Sequence, residues 1–268
     1  MHEQNELYSS KIFFNAALPL LKVIATDVPS LKAQFDKLTT VLQISALDPE
    51  VEGGKYATHF IITEGEWETK LDSAHETPDV ELEFKNIEAM NAFFKGKIGP
   101  KTLPKMKGIV KNFAAFKAML MTLLKLSDLT GATQPPKDED TKVLMVKCFF
   151  YLLSSGISQL NKLGHEAIKD WTTKSPDRVY AFAVNGHPEV SAFIRIKAGK
   201  SRAGRGEYKR AMPFFTLRFN NLDSALGTLL SIDDMLEATK AGRLIMDGGP
   251  EFGAQLGGFM LEVGGLAK

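Results

Sequence analysis

Cysteine is almost missing from this sequence: Cys148 is the single one among 268 residues. One thiol cannot form an internal disulfide, and a chain without disulfides fits a reducing compartment. Cys148 lies in the apolar run VLMVKCFFYLLSSGI, which favours a buried structural thiol over a nucleophile. The first residues, MHEQNELYSSK, are acidic and polar, whereas a secretory signal is basic and then apolar. The sequence therefore predicts a cytoplasmic protein.

Long hydrophobic runs and an excess of one charge are missing as well. The two most apolar runs, IFFNAALPLLKVIA and VLMVKCFFYLLSSGI, are too short to span a bilayer, and a lysine interrupts each. We therefore expect no transmembrane segment. The formal net charge is +1, whereas a nucleic-acid-binding domain is usually strongly basic. All seven arginines follow residue 134, so the second half is the better candidate for contacts with an anion.

The motifs of catalytic and metal chemistry are also missing. The sequence has no G-x-S-x-G nucleophile elbow, and its single cysteine cannot join a histidine cluster. The histidines are scattered without metal-ligand spacing: His2, His59, His75, His165 and His187. We therefore expect no enzyme activity, no cofactor and no metal.

A proline-containing stretch near the midpoint divides the chain. Residues 129–142, LTGATQPPKDEDTK, combine glycine, two prolines and a charged run, which is typical of a linker. An apolar helix-like segment opens each side, at residues 12–25 and 143–160, and β-type sequence follows it. The prediction is two domains, 1–130 and 142–268, joined by a linker at 131–141.

The two halves share a pattern of strand and helix. Identical residues stand 135 positions apart in four pairs: Pro78 and Pro213, Leu82 and Leu217, Phe84 and Phe219, Asn86 and Asn221. In each half an alternating strand leads into an amphipathic helix, and a glycine then precedes a short predicted strand, at IVKN and at RLIMD. Four identities are few enough to arise by chance between any two segments in which a strand precedes a helix. The shared order of elements around the midpoint favours internal duplication.

The repeated unit resembles the sterol carrier protein type two family. In the first half the resemblance rests on the strand Val80–Phe84, the helix Ile87–Phe94, the stretches GKIGP and LPKMKG, the strand IVKNF and a helix at 115–124. In the second half it rests on a strand at 214–219, a helix at 222–230, the strand RLIMDGG and a helix at 252–261. It covers roughly residues 40–126 and 178–263, so two tandem copies are expected.

The resemblance implies an α+β fold in which helices cover one side of a mainly antiparallel sheet and enclose an apolar cavity. It also implies a lipid, acyl-chain or acyl-CoA ligand in that cavity. The residues expected to line it are Phe84, Met90, Phe93, Phe94, Met106, Phe113, Phe116, Met119, Leu120, Leu123, Phe219, Leu226, Leu230, Met235, Met246, Phe252, Phe259 and Met260.

The composition agrees with an apolar site. Eighteen phenylalanines and ten methionines supply large side chains without a polar group, and methionine adapts to cavities of irregular shape. The last helix of the first copy spaces Phe113, Phe116, Met119, Leu120 and Leu123 along one side. Without the family, such a stripe is more often ordinary core.

The last helix of the second copy is unusually rich in glycine. PEFGAQLGGFMLEVGGLAK has five glycines in nineteen residues, and each interior glycine costs a helix about 1 kcal/mol relative to alanine. Close backbone packing or a mobile lid over a cavity would account for the glycines. A helix that ends early, near Gly264, would account for them equally.

A basic stretch, IKAGKSRAGRGEYKRAMP at residues 196–213, is predicted to be a long flexible hairpin loop. Its cations could bind a lipid headgroup or another phosphate, or contact an anionic membrane transiently. The expected anion-binding residues are Lys197, Lys200, Arg202, Arg205, Lys209 and Arg210. A solvated loop that is basic for solubility explains the same residues equally well.

Two functions from different classes follow. The first is non-enzymatic binding, and transfer, of a lipid or fatty-acyl ligand in an apolar cavity. The alternative is a protein-interaction or scaffold module with filled cores, whose basic loop 197–210 docks an acidic partner or nucleic acid.

Overall fold

The computed structural model describes residues 3–268 and shows an α+β protein, which confirms the predicted fold class. Within these residues the helices are α1 (Gln4–Ile12), α2 (Leu20–Asp27), α3 (Pro29–Phe35), α4 (Ile87–Phe94), α5 (Phe113–Thr130), α6 (Glu139–Lys162), α7 (Glu166–Lys174), α8 (Leu222–Leu229), α9 (Met235–Lys240) and α10 (Pro250–Ala267). The strands are β1 (Thr39–Leu47), β2 (Lys55–Thr63), β3 (Glu66–Lys70), β4 (Val80–Phe84), β5 (Lys105–Lys107), β6 (Arg178–Val184), β7 (Ala192–Lys197), β8 (Lys200–Arg205), β9 (Phe215–Phe219) and β10 (Leu244–Asp247).

The chain folds into two compact units. Unit 1 ends at Asp128 and also includes Leu266–Lys268, and unit 2 spans Leu129–Gly265. The predicted linker lies near this division, because α5 ends at Thr130 and α6 begins at Glu139.

Each unit contains one five-stranded mixed sheet. The strand order is β3-β2-β1-β4-β5 in unit 1 and β8-β7-β6-β9-β10 in unit 2. In both sheets the central pair, β1 with β4 and β6 with β9, is parallel, and the other pairs are antiparallel. The two units therefore have the same strand order and the same pairing directions.

Alternation along the strands gives each sheet an inner and an outer face. In β9, Phe215, Leu217 and Phe219 are buried on the inner face, and the residues between them are half-buried. In unit 1 the inner face receives the π-helical turn Phe13–Ala17 that follows α1, where the Thr58 hydroxyl donates to the Phe14 carbonyl. In unit 2 it receives α6, whose Phe150 packs against the ring of Phe182 of β6 at 5.5 Å. The cores of both units thus lie between sheet and helices.

Matching caps begin the helix that follows the parallel strand in each unit. The Asn86 side-chain oxygen accepts from the Ala89 amide at 2.9 Å, and that of Asn221 accepts from the Ser224 amide at 2.8 Å. Asparagine satisfies one of the free amides of a first helical turn, which fixes where α4 and α8 start.

The last strand of the first copy was predicted at IVKN, after Gly108, and this was wrong. The strand is β5, which precedes Gly108, and its Met106 pairs with Leu82. Gly108 has φ +75°, and a Cβ on it would overlap the Asp79 carbonyl, so only glycine allows the chain to leave the sheet there. Met246 of β10 pairs with Leu217 in the same way, so the two strands lie 140 residues apart.

The predicted flexible basic loop was also wrong in part, because residues 200–205 form strand β8. Only Ala198 and Gly199 connect it to β7, and their φ values of +50° and +73° are those of a type I′ turn. Such two-residue turns match the twist of antiparallel strands, which is why the glycine-containing stretch forms a tight hairpin.

Two helical segments are long and apolar enough to cross a membrane by length and composition. One is Gln4–Asp27, in which the π-helical turn Phe13–Ala17 lies between α1 and α2, and the other is α6, Glu139–Lys162. Both extend beyond the apolar runs noted in the sequence. In these segments 83% and 78% of the most apolar 18-residue stretch is buried within the protein, and core helices of soluble proteins can have the same length and composition.

Candidate functional site

The inner face of the unit 2 sheet carries a cluster of aromatic side chains around Tyr180 of β6. The ring of Trp171 from α7 lies 4.9 Å from that of Tyr180, and the ring of Phe214, the residue before β9, lies 5.8 Å from it. The last helix, α10, adds Phe252 at 6.3 Å from Tyr180 and Phe259 at 4.9 Å from Trp171. We call these five residues the aromatic cluster.

Within the aromatic cluster one polar group has no partner. Tyr180 is 1% exposed, and its hydroxyl makes no hydrogen bond to any residue that the structure describes. A buried hydroxyl without a partner costs about 1–3 kcal/mol, so the great majority of buried polar groups in proteins are paired. The hydroxyl can therefore still donate a hydrogen bond.

A cation lies beside the aromatic cluster. Arg178 stands two residues before Tyr180 on β6, so both side chains are on the inner face. Its guanidinium stacks 3.7 Å from the centre of the Phe214 ring and 5.4 Å from that of Phe252. Among residues 3–268 no carboxylate forms an ion pair with Arg178, in contrast to Arg195 and Arg218 on the outer face. A planar guanidinium held on aromatic rings can bind a carboxylate or a phosphate with two hydrogen bonds.

The glycines of α10 allow close packing over this face. A Cβ on Gly253 would overlap the Sδ of Met246, and one on Gly257 would lie 2.9 Å from the Sδ of Met235. The helix continues to Ala267, so it does not end early near Gly264. Close packing thus explains two of the glycines. The contacts are with methionines, whose flexible side chains can move.

Unit 1 carries different residues at the corresponding positions. By strand register, Thr40 and Leu42 of β1 match Arg178 and Tyr180 of β6. Unit 1 has its own aromatic group on the inner side, in which Phe94 lies 5.3 Å from Phe13 and 5.8 Å from Phe84. No arginine occurs in residues 1–134, so the combination of rings, arginine and hydroxyl belongs to unit 2.

The residues predicted to line a cavity fall into three groups by exposure. Those buried in a core are Phe84, Met90, Met119, Phe219, Leu226, Phe259 and Met260. Those half-buried are Phe93, Phe94, Phe116, Leu123, Leu230, Met235, Met246 and Phe252. Those on the surface are Met106, Phe113 and Leu120, with exposed fractions of 56%, 63% and 40%.

The predicted apolar stripe of α5 was wrong by a rotation about the helix axis. Its buried side is Ala115, Ala118, Met119 and Thr122, at helical spacing. Phe113 and Leu120 therefore face solvent, because they lie off this stripe.

The predicted anion-binding residues are all exposed, and the sheet separates them into sets. Lys197, Lys200 and Arg202 lie on the outer face, where Arg202 pairs across the strands with Arg195. Arg205 lies on the other face, with its guanidinium 5.0 Å from the Tyr151 ring of α6. Their role in binding anions stays a prediction. The outer-face set lies on the opposite side of the sheet from the aromatic cluster.

A buried carboxylate network on the outer face of unit 1 was not predicted. Glu81 is 3% exposed and accepts hydrogen bonds of 2.7 to 3.1 Å from Gln43, Ser45, Lys55 and Lys107. Burial alone would raise the pKa of Glu81, but these four donors lower it to about 2. A carboxylate with so low a pKa is a poor proton acceptor at neutral pH, so the network stabilises the sheet.

An open pocket of 490 Å³ lies next to this network. Its lining is polar and consists of His59, Lys70, Ser73, Ala74, His75, Glu76 and Thr77. The rings of His59 and His75 meet edge to face with their centroids 5.4 Å apart, and the His59 ring lies within hydrogen-bond distance, 2.6 Å, of the Ser73 carbonyl. Among the described residues no group of three or more His, Cys, Asp or Glu side chains could hold a metal ion.

Sequence reasoning missed the polar part of the aromatic cluster. Arg178 and Tyr180 lie on β6, and Trp171 lies on α7. Both elements precede Pro213, where the aligned pairs of identical residues begin in the second half. The available signal was the RVYAF stretch, which places an arginine and a tyrosine on the same face of a predicted strand.

No family model matches the chain, and no curated protein matches it. Among solved structures, a conserved hypothetical protein from Thermus thermophilus, described as "possibly sterol carrier protein", is similar at 19% identity with a TM-score of 0.30. The match covers 43% of this chain and 82% of that one. The resemblance to sterol carrier proteins therefore remains one of sequence pattern.

Proposed function

We propose that this protein is a non-enzymatic, cytoplasmic lipid-binding protein whose unit 2 holds a fatty-acyl ligand between α10 and the inner face of its sheet. The observation that carries the proposal is that two polar residues lie beside the same rings, Phe214 and Phe252. They are Tyr180, whose buried hydroxyl has no hydrogen-bond partner among the described residues, and Arg178, whose guanidinium no carboxylate among them neutralises. These two polar groups can bind the charged head of an amphiphile, and the aromatic surface beside them can bind its apolar chain.

The chemistry of the site divides the ligand into two parts. The anionic head, a carboxylate or phosphate, pairs with Arg178 and accepts from the Tyr180 hydroxyl. The acyl chain lies along Phe252 and Phe259 and displaces the thioethers of Met235 and Met246. Burial of the chain contributes about 0.8 kcal/mol per methylene.

Entry of the ligand requires α10 to move. Its contacts with Met235 and Met246 are made by glycine backbone, which offers little side-chain area to hold the helix down. Interior glycines also weaken the helix by about 1 kcal/mol each. The glycines thus allow α10 to pack closely on the methionines and also make it easier for the helix to move away.

Native mass spectrometry of the freshly purified full chain, followed by denaturation and solvent extraction, tests this proposal. We expect an adduct of lipid mass that is released on denaturation. The Arg178→Met variant should bind an added long-chain fatty acid at least about tenfold more weakly, because a hydrogen-bonded charge contributes about 1.5–3 kcal/mol.

The matched control is Arg202→Met, which removes an exposed arginine from the outer face of the same sheet. It should leave the affinity unchanged. A chain that carries no lipid and gains none on addition of fatty acid or phospholipid would contradict the proposal and favour a scaffold with filled cores.

A further inference from the structure

The lysines of unit 1 are concentrated in one segment that contains no acidic residue. Of the fifteen lysines in residues 1–134, eight lie between residues 89 and 127, where there is neither Asp nor Glu. These are Lys95, Lys97, Lys101, Lys105, Lys107, Lys111, Lys117 and Lys125. The remaining seven lysines are accompanied by all seventeen acids of that half. The segment is therefore a strongly cationic part of an otherwise acidic unit.

The same segment exposes large apolar side chains on both sides of β5. Val110 is 96% exposed, and the others are more than half exposed: Ile98, Leu103, Met106 and Phe113. Isolated apolar residues on a surface need no explanation, but five within sixteen residues are a concentration of the kind found at interaction surfaces. We call these five residues, with the exposed Lys97, Lys101, Lys105 and Lys111, the docking face.

The lysines of the docking face are available for a partner. No acidic side chain in the described part of the chain forms an ion pair with any of the four. The neighbouring lysines are engaged instead: Lys107 bonds Glu81 and Glu83, and Lys95 donates to the Ser9 hydroxyl.

The docking face is held in shape by hydrogen bonds. The Thr102 hydroxyl donates to the Lys97 carbonyl at 2.7 Å and closes the turn between Ile98 and Leu103. On the other side of β5, the Asn112 amide donates to the Asp79 carbonyl at 2.8 Å, next to Val110. The apolar side chains are thus presented by an ordered backbone.

The corresponding stretch of unit 2 lacks these properties. Residues 231–251 contain five acids and two cations. Met246, which matches Met106 in register, is half-buried. The cationic, apolar surface is therefore not a consequence of the repeated fold.

We propose that the docking face of unit 1 binds the surface of an anionic lipid bilayer. Lysines near such a surface are attracted by its negative potential, while aliphatic and phenyl side chains enter the region below the headgroups. Nucleic acid fits less well, because its recognition favours arginine and aromatic stacking, and the segment has no arginine. Protection of an edge strand against pairing with another chain would explain only Lys105, because β5 has three residues and Lys107 is already paired with Glu83.

Vesicle flotation of the full chain tests this proposal. We expect binding to vesicles of about 70% phosphatidylcholine and about 30% phosphatidylserine at about 0.1 M NaCl, weaker binding at about 0.5 M NaCl, and little binding to pure phosphatidylcholine. The double variant Lys101→Glu/Lys111→Glu should bind at least about 25-fold more weakly, because each lysine contributes about fivefold. Val110→Ser/Phe113→Ser should also lose binding, with its charge unchanged.

The charge-matched control is Lys32→Glu/Lys37→Glu, which makes the same change on two exposed lysines beside β3, at the opposite edge of the unit 1 sheet from β5, and should bind within about twofold of the parent. Thermal unfolding of each variant confirms that it is folded. Equal loss in this control, equal binding to uncharged vesicles, or binding of polyuridylate in place of vesicles would overturn the proposal. A chain that binds fatty acid but not vesicles would overturn it and leave the lipid site of unit 2 intact.

Discussion

At the scale of single residues, the two polar features that matter most are both made by side chains far apart in sequence. Glu81 is enclosed by donors from β1, β2 and β5, and Arg178 is stacked on rings from the residue before β9 and from α10. A sequence pattern shows which face a side chain occupies, but not which neighbours meet it. That is why neither feature was predicted.

Replacement of Glu81 by glutamine should lower the free energy of unfolding by about 3 kcal/mol at pH 7. The reason is linkage: the pKa of Glu81 falls from 4.5 when unfolded to about 2 when folded. A lowered folded pKa gives stability that is fully present above pH 4.5 and is lost as the pH falls through 2. The difference between parent and variant should thus shrink to about 1.5 kcal/mol at pH 3.

Denaturant unfolding between about pH 3 and pH 7 measures this difference. Glu68→Gln is the control, because Glu68 is exposed on the same sheet and pairs with Lys70 at the surface. It should change stability by less than about 0.5 kcal/mol at every pH. A Glu81→Gln effect that is small, or that does not depend on pH, would refute the role assigned to the network.

At the scale of elements, the strands and helices with clear periodicity were predicted well. The strand Val80–Phe84 and the helix Ile87–Phe94 have the predicted bounds, because alternation and an asparagine cap specify them. The failures at β5 and β8 have a common cause. Both are short edge strands with lysines, and their existence depends on pairing with a neighbour and on a glycine turn.

The contact between α6 and α10 gives a test of helix packing. A Cβ on Gly156 of α6 would lie 2.5 Å from a Val263 methyl, and valine is rigid at χ1. Gly156→Ala should therefore destabilise the protein by about 1–2 kcal/mol despite the better helix propensity of alanine. Gly258→Ala should instead stabilise it by up to about 1 kcal/mol, because nothing lies within 4 Å of that Cβ.

Thermal or denaturant unfolding of both variants measures whether Gly156→Ala lowers the stability and Gly258→Ala raises it. Adding Val263→Ala to Gly156→Ala should restore part of the lost stability, because it removes the methyl groups that the new Cβ overlaps. Equal effects of the two glycine substitutions would show that α10 does not pack closely on α6.

At the scale of the whole molecule, the sequence pattern correctly indicated an α+β protein with similar halves, and the two sheets share one strand order. The shared pattern of strands and helices could not indicate which equivalent positions carry different side chains. By strand register, Thr40 and Leu42 of unit 1 stand where unit 2 has Arg178 and Tyr180. The lysine-rich segment 89–127 of unit 1 likewise corresponds to a stretch of unit 2 that includes the mainly acidic residues 231–251. Strand periodicity is the same in both halves and is insensitive to these exchanges.

The central claim, that unit 2 holds an acyl ligand at the aromatic cluster, is tested most directly by tryptophan fluorescence. The sequence has two tryptophans, Trp67 in unit 1 and Trp171 in the aromatic cluster, so Trp67→Phe leaves Trp171 as the sole reporter. Titration of this variant with a long-chain fatty acid should change the emission saturably, with one ligand per chain, and Arg178→Met should weaken the response at least about tenfold. Unchanged Trp171 emission, while equilibrium dialysis shows bound fatty acid, would place the ligand elsewhere and contradict the account.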